Sequence, residues 1–78
     1  MFIRIELKDL DFTINARHVF EISFLKDERE VVICFSTGEE RHDFECLEIA
    51  ELYYFALINI ISGNQVEYLH PEFTITSL

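Results

Sequence analysis

Residues 46–62 decide the fold, and they read CLEIAELYYFALINIIS, a stretch with neither Gly nor Pro. Gly63 follows at once, and glycine is the residue most often found just past the end of a helix. Asp43 can cap the start of such a helix, and Glu45 and Glu48 suit the positive end of its dipole. The sequence therefore predicts one long helix over 46–62.

The predicted helix has more apolar surface than an ordinary surface helix. At about 100° per residue, its polar side chains fall within an arc of roughly 80°, and Phe55 lies in the middle of that arc. These polar side chains are Glu48, Glu51, Asn59 and Ser62. The remaining apolar arc spans roughly 240°, against roughly 100° for a helix that packs on one surface. A single sheet face is therefore not enough to cover it.

The excess apolar surface can be covered in two ways. Another chain can pack on it, or the C-terminal tail and the long loops can fold over it. Because the tail is short and half polar, we expect a partner chain, and Tyr side chains suit a contact surface because they combine apolar area with a polar tip. The residues predicted to bind the partner are Leu47, Tyr53, Tyr54, Phe55, Ile58 and Ile61.

Before the helix, apolar residues recur with a period of two, which is typical of half-buried strands. Strands are predicted at 2–7, 12–14, 18–25, 30–36 and 40–44. The run at 30–36 is rich in β-branched and aromatic residues and is predicted to be the most buried.

After the helix, Pro71 separates two short apolar runs, either of which could be an edge strand. The predicted fold class is therefore α+β in one domain, 1–78: an antiparallel β-meander of four to five strands, one long helix packed on the sheet, and a C-terminal tail that can add an edge strand. The predicted core consists of Ile3, Ile5, Leu7, Phe20, Ile22, Phe24, Val31, Ile33, Phe35, Ile49, Leu52, Ala56 and Ile60.

The charge is strongly unbalanced. The chain has fifteen Asp and Glu against six Lys and Arg, its net charge is −9, and after Arg41 the only basic side chains are two His. Direct binding to nucleic acid or to an anionic membrane is disfavoured, since both need Lys and Arg.

Six carboxylates cluster around the start of the predicted helix: Glu39, Glu40, Asp43, Glu45, Glu48 and Glu51. The simpler interpretation is a solvated face that keeps an apolar domain in solution. The alternative is that they imitate a line of phosphates and occupy a nucleic-acid-binding groove, as phage-type inhibitors of restriction or CRISPR enzymes do.

The residues that could carry chemistry are few: His18, His42, His70, Cys34 and Cys46. They show no paired metal-ligand spacing, and only Gly38 and Gly63 are available for a phosphate loop. Cys46 near His42 at a helix start is the closest approach to a nucleophile. We predict no catalytic residue, no cofactor and no metal. Since nothing at the N-terminus resembles a signal peptide, and the two Cys are most simply reduced and buried, we expect a cytoplasmic protein.

Residues 12–16 (Phe-Thr-Ile-Asn-Ala), Val19 with Ile22, 31–33 (Val-Val-Ile) and 37–38 (Thr-Gly) together resemble the pattern of small FlbD-type flagellar proteins. The resemblance covers roughly the first 60 residues. It implies a short β-meander ending in a helix and assigns no functional residue. The strongly apolar helix and the added tail depart from that pattern.

We therefore expect a small acidic, non-enzymatic protein-interaction module that forms a homo-oligomer, most simply a dimer, through the apolar helix. The second hypothesis is the acidic inhibitor of a basic nucleic-acid-binding enzyme. The third is a small enzyme or metalloprotein.

Overall fold

The computed structural model describes all residues, 1–78, as seven strands and one α-helix. The helix α1 spans Leu47–Ile61. The strands are β1 Phe2–Leu7, β2 Asp11–Asn15, β3 Val19–Leu25, β4 Glu30–Phe35, β5 Gly38–Asp43, β6 Glu67–His70 and β7 Phe73–Ser77.

The strands form two antiparallel sheets, one in the order β2-β1-β7-β6 and the other in the order β3-β4-β5. The α+β class, with its single helix packed on sheet, is confirmed. The predicted meander is divided between the sheets, because a 3-10 turn at Ala16–His18 separates β2 from β3. The Asn15 side chain accepts a hydrogen bond from the backbone N–H of Arg17 at 3.1 Å and so stabilises this turn.

The tail contributes more than an edge strand. Its two runs form the hairpin β6-β7, in which β6 is the sheet edge and β7 lies between β6 and β1. Ile5 of β1 is paired with Ile75 of β7, so the first and last strands of the chain are neighbours. Phe73 and Ile75 are consequently buried in the core.

Strand β4 is the most buried, as its composition predicts. Val31 and Ile33 are fully buried on its inner side, and Val32 on the other side is only 4% exposed. Arg41, the cross-strand partner of Val32, forms ion pairs with Glu30 at 2.7 Å and Glu39 at 2.6 Å. The aliphatic part of an arginine held in this way can shield an apolar neighbour from water.

The helix ends as the sequence predicts, but it begins differently. The N–H of Gly63 donates to the carbonyl of Ile60, and the N–H of Asn64 donates to that of Asn59, which together form a Schellman motif. Gly63 has the positive φ, 81°, that this motif requires. The predicted capping by Asp43 is wrong, because Asp43 is the last residue of β5 and the N-cap is Cys46.

The core lies where α1 contacts β3 and β4 of one sheet and β7 of the other. Its buried residues are Ile3, Ile5, Ile14, Val31, Ile33, Tyr53, Ala56, Leu57, Ile60, Phe73 and Ile75. Most of the predicted core residues belong to it or pack against it.

Two predicted core residues, Phe20 and Leu52, are exposed. Phe20 is 70% exposed because a bulge between Val19 and Glu21 leaves it without a cross-strand partner. Leu52 is 41% exposed because the buried side of α1 is centred near Tyr53 and Leu57.

A leucine pair on α1 tests this orientation of the helix. We expect Leu57→Ala to lower the free energy of unfolding by about 2–5 kcal/mol, since it leaves a cavity in the core. The matched variant Leu52→Ala should change it by about 1 kcal/mol or less, because that side chain is partly in water already. Urea unfolding of both variants measures the difference, and equal losses would mean that α1 is rotated relative to this description.

Candidate functional site

The solvent side of α1 is unusually apolar at its middle. We define the α1 exposed face as the six exposed side chains of α1 together with that of its C-cap residue, and all seven fall within an arc of roughly 140° at 100° per residue. They are Leu47, Glu48, Glu51, Leu52, Phe55, Asn59 and Ser62. Phe55 is 53% exposed, and its ring contacts only Tyr54 among the aromatic side chains, with ring centroids 5.2 Å apart. An aromatic ring in this position contributes little to the core and is available for contact with another molecule.

The residues predicted to bind a partner do not all lie on this face. Leu47 and Phe55 do, and Leu52, predicted to be in the core, joins them. Tyr53 is fully buried, which corrects its assignment to a partner surface.

The remaining predicted partner residues lie on the margin of the buried side. Tyr54 is half-buried and stacks on Phe24, with centroids 5.4 Å apart, while Ile58 and Ile61 are also half-buried. Strand β7 of the four-stranded sheet contacts α1 and covers some of the helix surface that the sequence had left for a partner. The alternative in which the tail covers the helix is therefore realised in part.

Tyr53 and His42 form a polar pair inside the core, with the Tyr53 hydroxyl 3.0 Å from Nδ1 of His42. Burial raises the pKa of Tyr53 well above its usual value, and the nearby carboxylate of Glu40 raises it further. The ring of Tyr53 packs edge-on against Phe73, with centroids 5.2 Å apart. The hydrogen bond to His42 thus gives the buried Tyr53 hydroxyl a partner inside an apolar core.

The other nitrogen of His42 has no hydrogen-bond partner. Its side chain is 5% exposed, and Nε2 lies 3.6 Å from the nearest carboxylate oxygen, that of Glu40. Burial lowers the pKa of His42 below its ordinary value, and the charges of Glu40 and Asp43 oppose this in part. Burial therefore favours the neutral form of this imidazole.

A groove of about 460 Å³ lies between the β1–β2 turn and the start of α1. Its lining includes Cys46 and His42, together with Lys8, Arg41 and four carboxylates: Asp9, Asp43, Glu45 and Glu72. His42 is hydrogen-bonded to Tyr53 and its Nε2 atom is enclosed, so it is not placed to activate Cys46. Both cysteines are free and half-buried, where full burial had been expected. No three His, Cys, Asp or Glu side chains are arranged to hold a metal ion.

The six predicted acidic residues are all exposed, but they do not form one line. Glu39 is paired with Arg41 at 2.6 Å, and Glu40 lies beside His42. The other four have no cationic side chain within salt-bridge distance, and we call them the uncompensated carboxylates. They are Asp43, Glu45, Glu48 and Glu51.

Another exposed apolar spot lies on the outer face of the four-stranded sheet. Phe2 is 54% exposed there, and the neighbouring Leu78 is also exposed, its N–H donating to the carbonyl of Phe2 at 2.9 Å. Arg4, paired with Asp11 at 2.7 Å, makes the adjoining part of this face polar. This spot is useful as a comparison for Phe55, because the two rings are equally exposed.

No protein-family model, no curated protein and no solved structure matches this chain. The resemblance to the FlbD-type flagellar proteins therefore stays a prediction. No helix of the protein has the length and apolarity needed to cross a membrane.

The His42 pair predicts how stability depends on pH. The pKa of His42 is lower in the folded protein than its ordinary 6.5, so as the pH falls through 6.5 the unfolded chain takes up a proton before the folded chain does. The free energy of unfolding should therefore fall as the pH is lowered through this range, by at most about 1.4 kcal/mol per pH unit. Urea unfolding between about pH 7.5 and 5 measures this slope.

Two histidine variants make that measurement specific. His42→Gln should flatten the slope, whereas His18→Gln removes an exposed histidine and should keep it. If the slope is the same in all three proteins, His42 does not titrate as its burial implies.

Proposed function

We propose that this protein is a non-enzymatic protein-interaction module that forms a homodimer through the α1 exposed face. The observation that carries the proposal is Phe55, a half-exposed aromatic ring at the centre of the solvent side of the only α-helix. Leu47 and Leu52 lie on the same face and extend the apolar area. Aromatic anchors surrounded by polar residues are typical of protein interfaces.

A non-enzymatic role is supported by the surroundings of His42, the histidine that lies nearest to a cysteine, Cys46, in the sequence. The Nε2 atom of His42 is enclosed, and the ring is committed to Tyr53. Two free thiols are consistent with a reducing compartment, so we also propose a cytoplasmic location.

Matched phenylalanine variants test the dimer. Phe55→Glu should convert the protein to a monomer, because a buried unpaired carboxylate is costly at an interface. Phe2→Glu places the same charge at an equally exposed ring on the outer face of the four-stranded sheet and should leave the mass unchanged. Light scattering over a range of protein concentration measures both, with circular dichroism to confirm that the variants fold.

Two results would contradict this assignment. If the unmodified protein is a monomer at every concentration, the homodimer is excluded. If Phe2→Glu rather than Phe55→Glu produces monomers, the dimer exists but is built on the sheet.

The uncompensated carboxylates favour a second candidate, an acidic inhibitor that occupies the groove of a basic nucleic-acid-binding enzyme. Four exposed carboxylates that form no salt bridge, all around one helix start, present a negative field to an approaching partner. The absence of any Lys or Arg after Arg41 strengthens that field.

Charge reversal distinguishes this candidate from the first. The double variant Glu48→Lys/Glu51→Lys should lose inhibition of DNA binding when tested against a panel of restriction and CRISPR nucleases. The control Glu21→Lys/Glu67→Lys makes the same change in net charge at exposed strand positions and should retain inhibition. Inhibition should also weaken steeply as salt is raised. If the protein inhibits none of these nucleases, or if both variants inhibit equally, the second candidate is excluded.

A further inference from the structure

We propose that the α1 exposed face binds a basic amphipathic helix of another protein, with the apolar side of that helix on Phe55 and its Lys or Arg side chains on Glu48 and Glu51. This inference rests on the proposed function, because it names a second ligand for the same face. A basic helix and a second copy would both cover Phe55, so the two compete for it. The chemistry of the partner follows from how charge and apolar area are arranged along α1.

The two carboxylates of the face lie in line with its apolar centre. Glu51 precedes Phe55 by four residues and Glu48 precedes it by seven, so they lie about 6 Å and about 10 Å from it along the helix axis. At 100° per residue, the three side chains fall within an arc of about 60°. One ligand that lies along α1 therefore contacts the ring and both carboxylates.

Neither carboxylate is paired within the chain. No salt bridge includes Glu48 or Glu51, although Arg4 and Arg41 each pair with two carboxylates elsewhere. Residues 42–78 contain no Lys or Arg, so the α1 exposed face of a second copy carries no cation either. A partner with Lys or Arg beside its apolar residues therefore complements the charge of this face better than a second copy does.

The apolar part of the face favours an amphipathic helix over a purely basic segment. Leu47 is 45% exposed, Leu52 41% and Phe55 53%. A basic segment without apolar residues would leave these side chains in water. A helix with apolar residues every three or four positions covers them, because it places those residues along one side. The positions of the carboxylates add that its Lys or Arg side chains lie one and two turns from the apolar residue that contacts Phe55.

Two synthetic peptides of the same composition test the proposal. The first has about 18 residues, long enough to be helical, with Leu along one side and Arg one and two turns from the central Leu. In the second, the Leu residues are distributed on all sides. Fluorescence anisotropy measures the binding of each labelled peptide to the folded protein at low salt, where exposed charges are screened least.

The first peptide should bind at least tenfold more tightly than the second, because only it offers an apolar side together with the cations. Equal affinity would overturn the inference, since the net charge of −9 would then account for the binding.

Variants of the protein locate the binding site. Glu48→Gln/Glu51→Gln should weaken binding of the first peptide about fivefold, because two ion pairs are lost. Phe55→Ala should weaken it about tenfold, because the apolar anchor is lost. Loss of affinity in the Gln variant alone would mean that charge holds the peptide without Phe55, and it would overturn the proposed arrangement.

Matched controls make the same changes elsewhere on the surface. Glu21→Gln/Glu67→Gln alters two exposed strand carboxylates, and Phe2→Ala removes an equally exposed ring. Both should bind the first peptide as the unmodified protein does. If they lose as much affinity as the α1 variants, the peptide is not held by the α1 exposed face and the inference is overturned.

Light scattering distinguishes a failure of this inference from a failure of the homodimer. A monomer that binds the first peptide excludes the homodimer and supports the basic partner. A dimer that does not bind it overturns the inference and leaves the homodimer in place. Where the protein both dimerises and binds, the peptide should convert the dimer to a monomer, since both ligands cover Phe55. A dimer that binds the peptide without dissociating would overturn the shared site.

Discussion

The pairing of β1 with β7 is the interaction on which the rest of the structure depends. It joins the first strand of the chain to the last, with Ile3 opposite Ser77 and Leu7 opposite Phe73. Because of it, β7 is an internal strand, and Ile75 is fully buried beside α1. A chain of this size has little core to spare, and its one core is built from residues of both sheets and α1. Folding therefore requires contacts between the two ends of the sequence.

Features with a local physical cause could be predicted from the sequence, and features that depend on distant pairing could not. Gly63 marks the helix end because only the residues next to it decide the Schellman motif. Phe73 and Ile75 alternate with threonines, which predicts a strand. The residues around them do not indicate that β1 is its neighbour. The sequence pattern predicted that Leu52 faces the core, whereas Leu57 does. A helix that is apolar on most sides does not show from its sequence alone which side is buried.

The burial of Tyr53 was missed although the sequence contained a signal for it. The two-residue turn at Ser36 and Thr37 fixes the register of β4 with β5, and that register pairs His42 with the buried Val31. An inward-facing histidine can satisfy a tyrosine hydroxyl, which is what Tyr53 needs in order to enter the core. The pairing of β4 with β5 therefore indicates that Tyr53 belongs to the core. Phe55 is then the only exposed aromatic residue of α1.

The two kinds of residue on the α1 exposed face differ in how far the fold explains them. Glu48 lies in the first turn of α1, where a carboxylate stabilises the helix dipole, so its presence needs no partner. Phe55 has no such explanation: it caps nothing, it packs on no sheet, and half of its ring is in water. A polar residue there would cost the core little and would make the surface less prone to association. The fold alone therefore accounts for Glu48 but not for Phe55, and the proposed contact with another protein rests on Phe55.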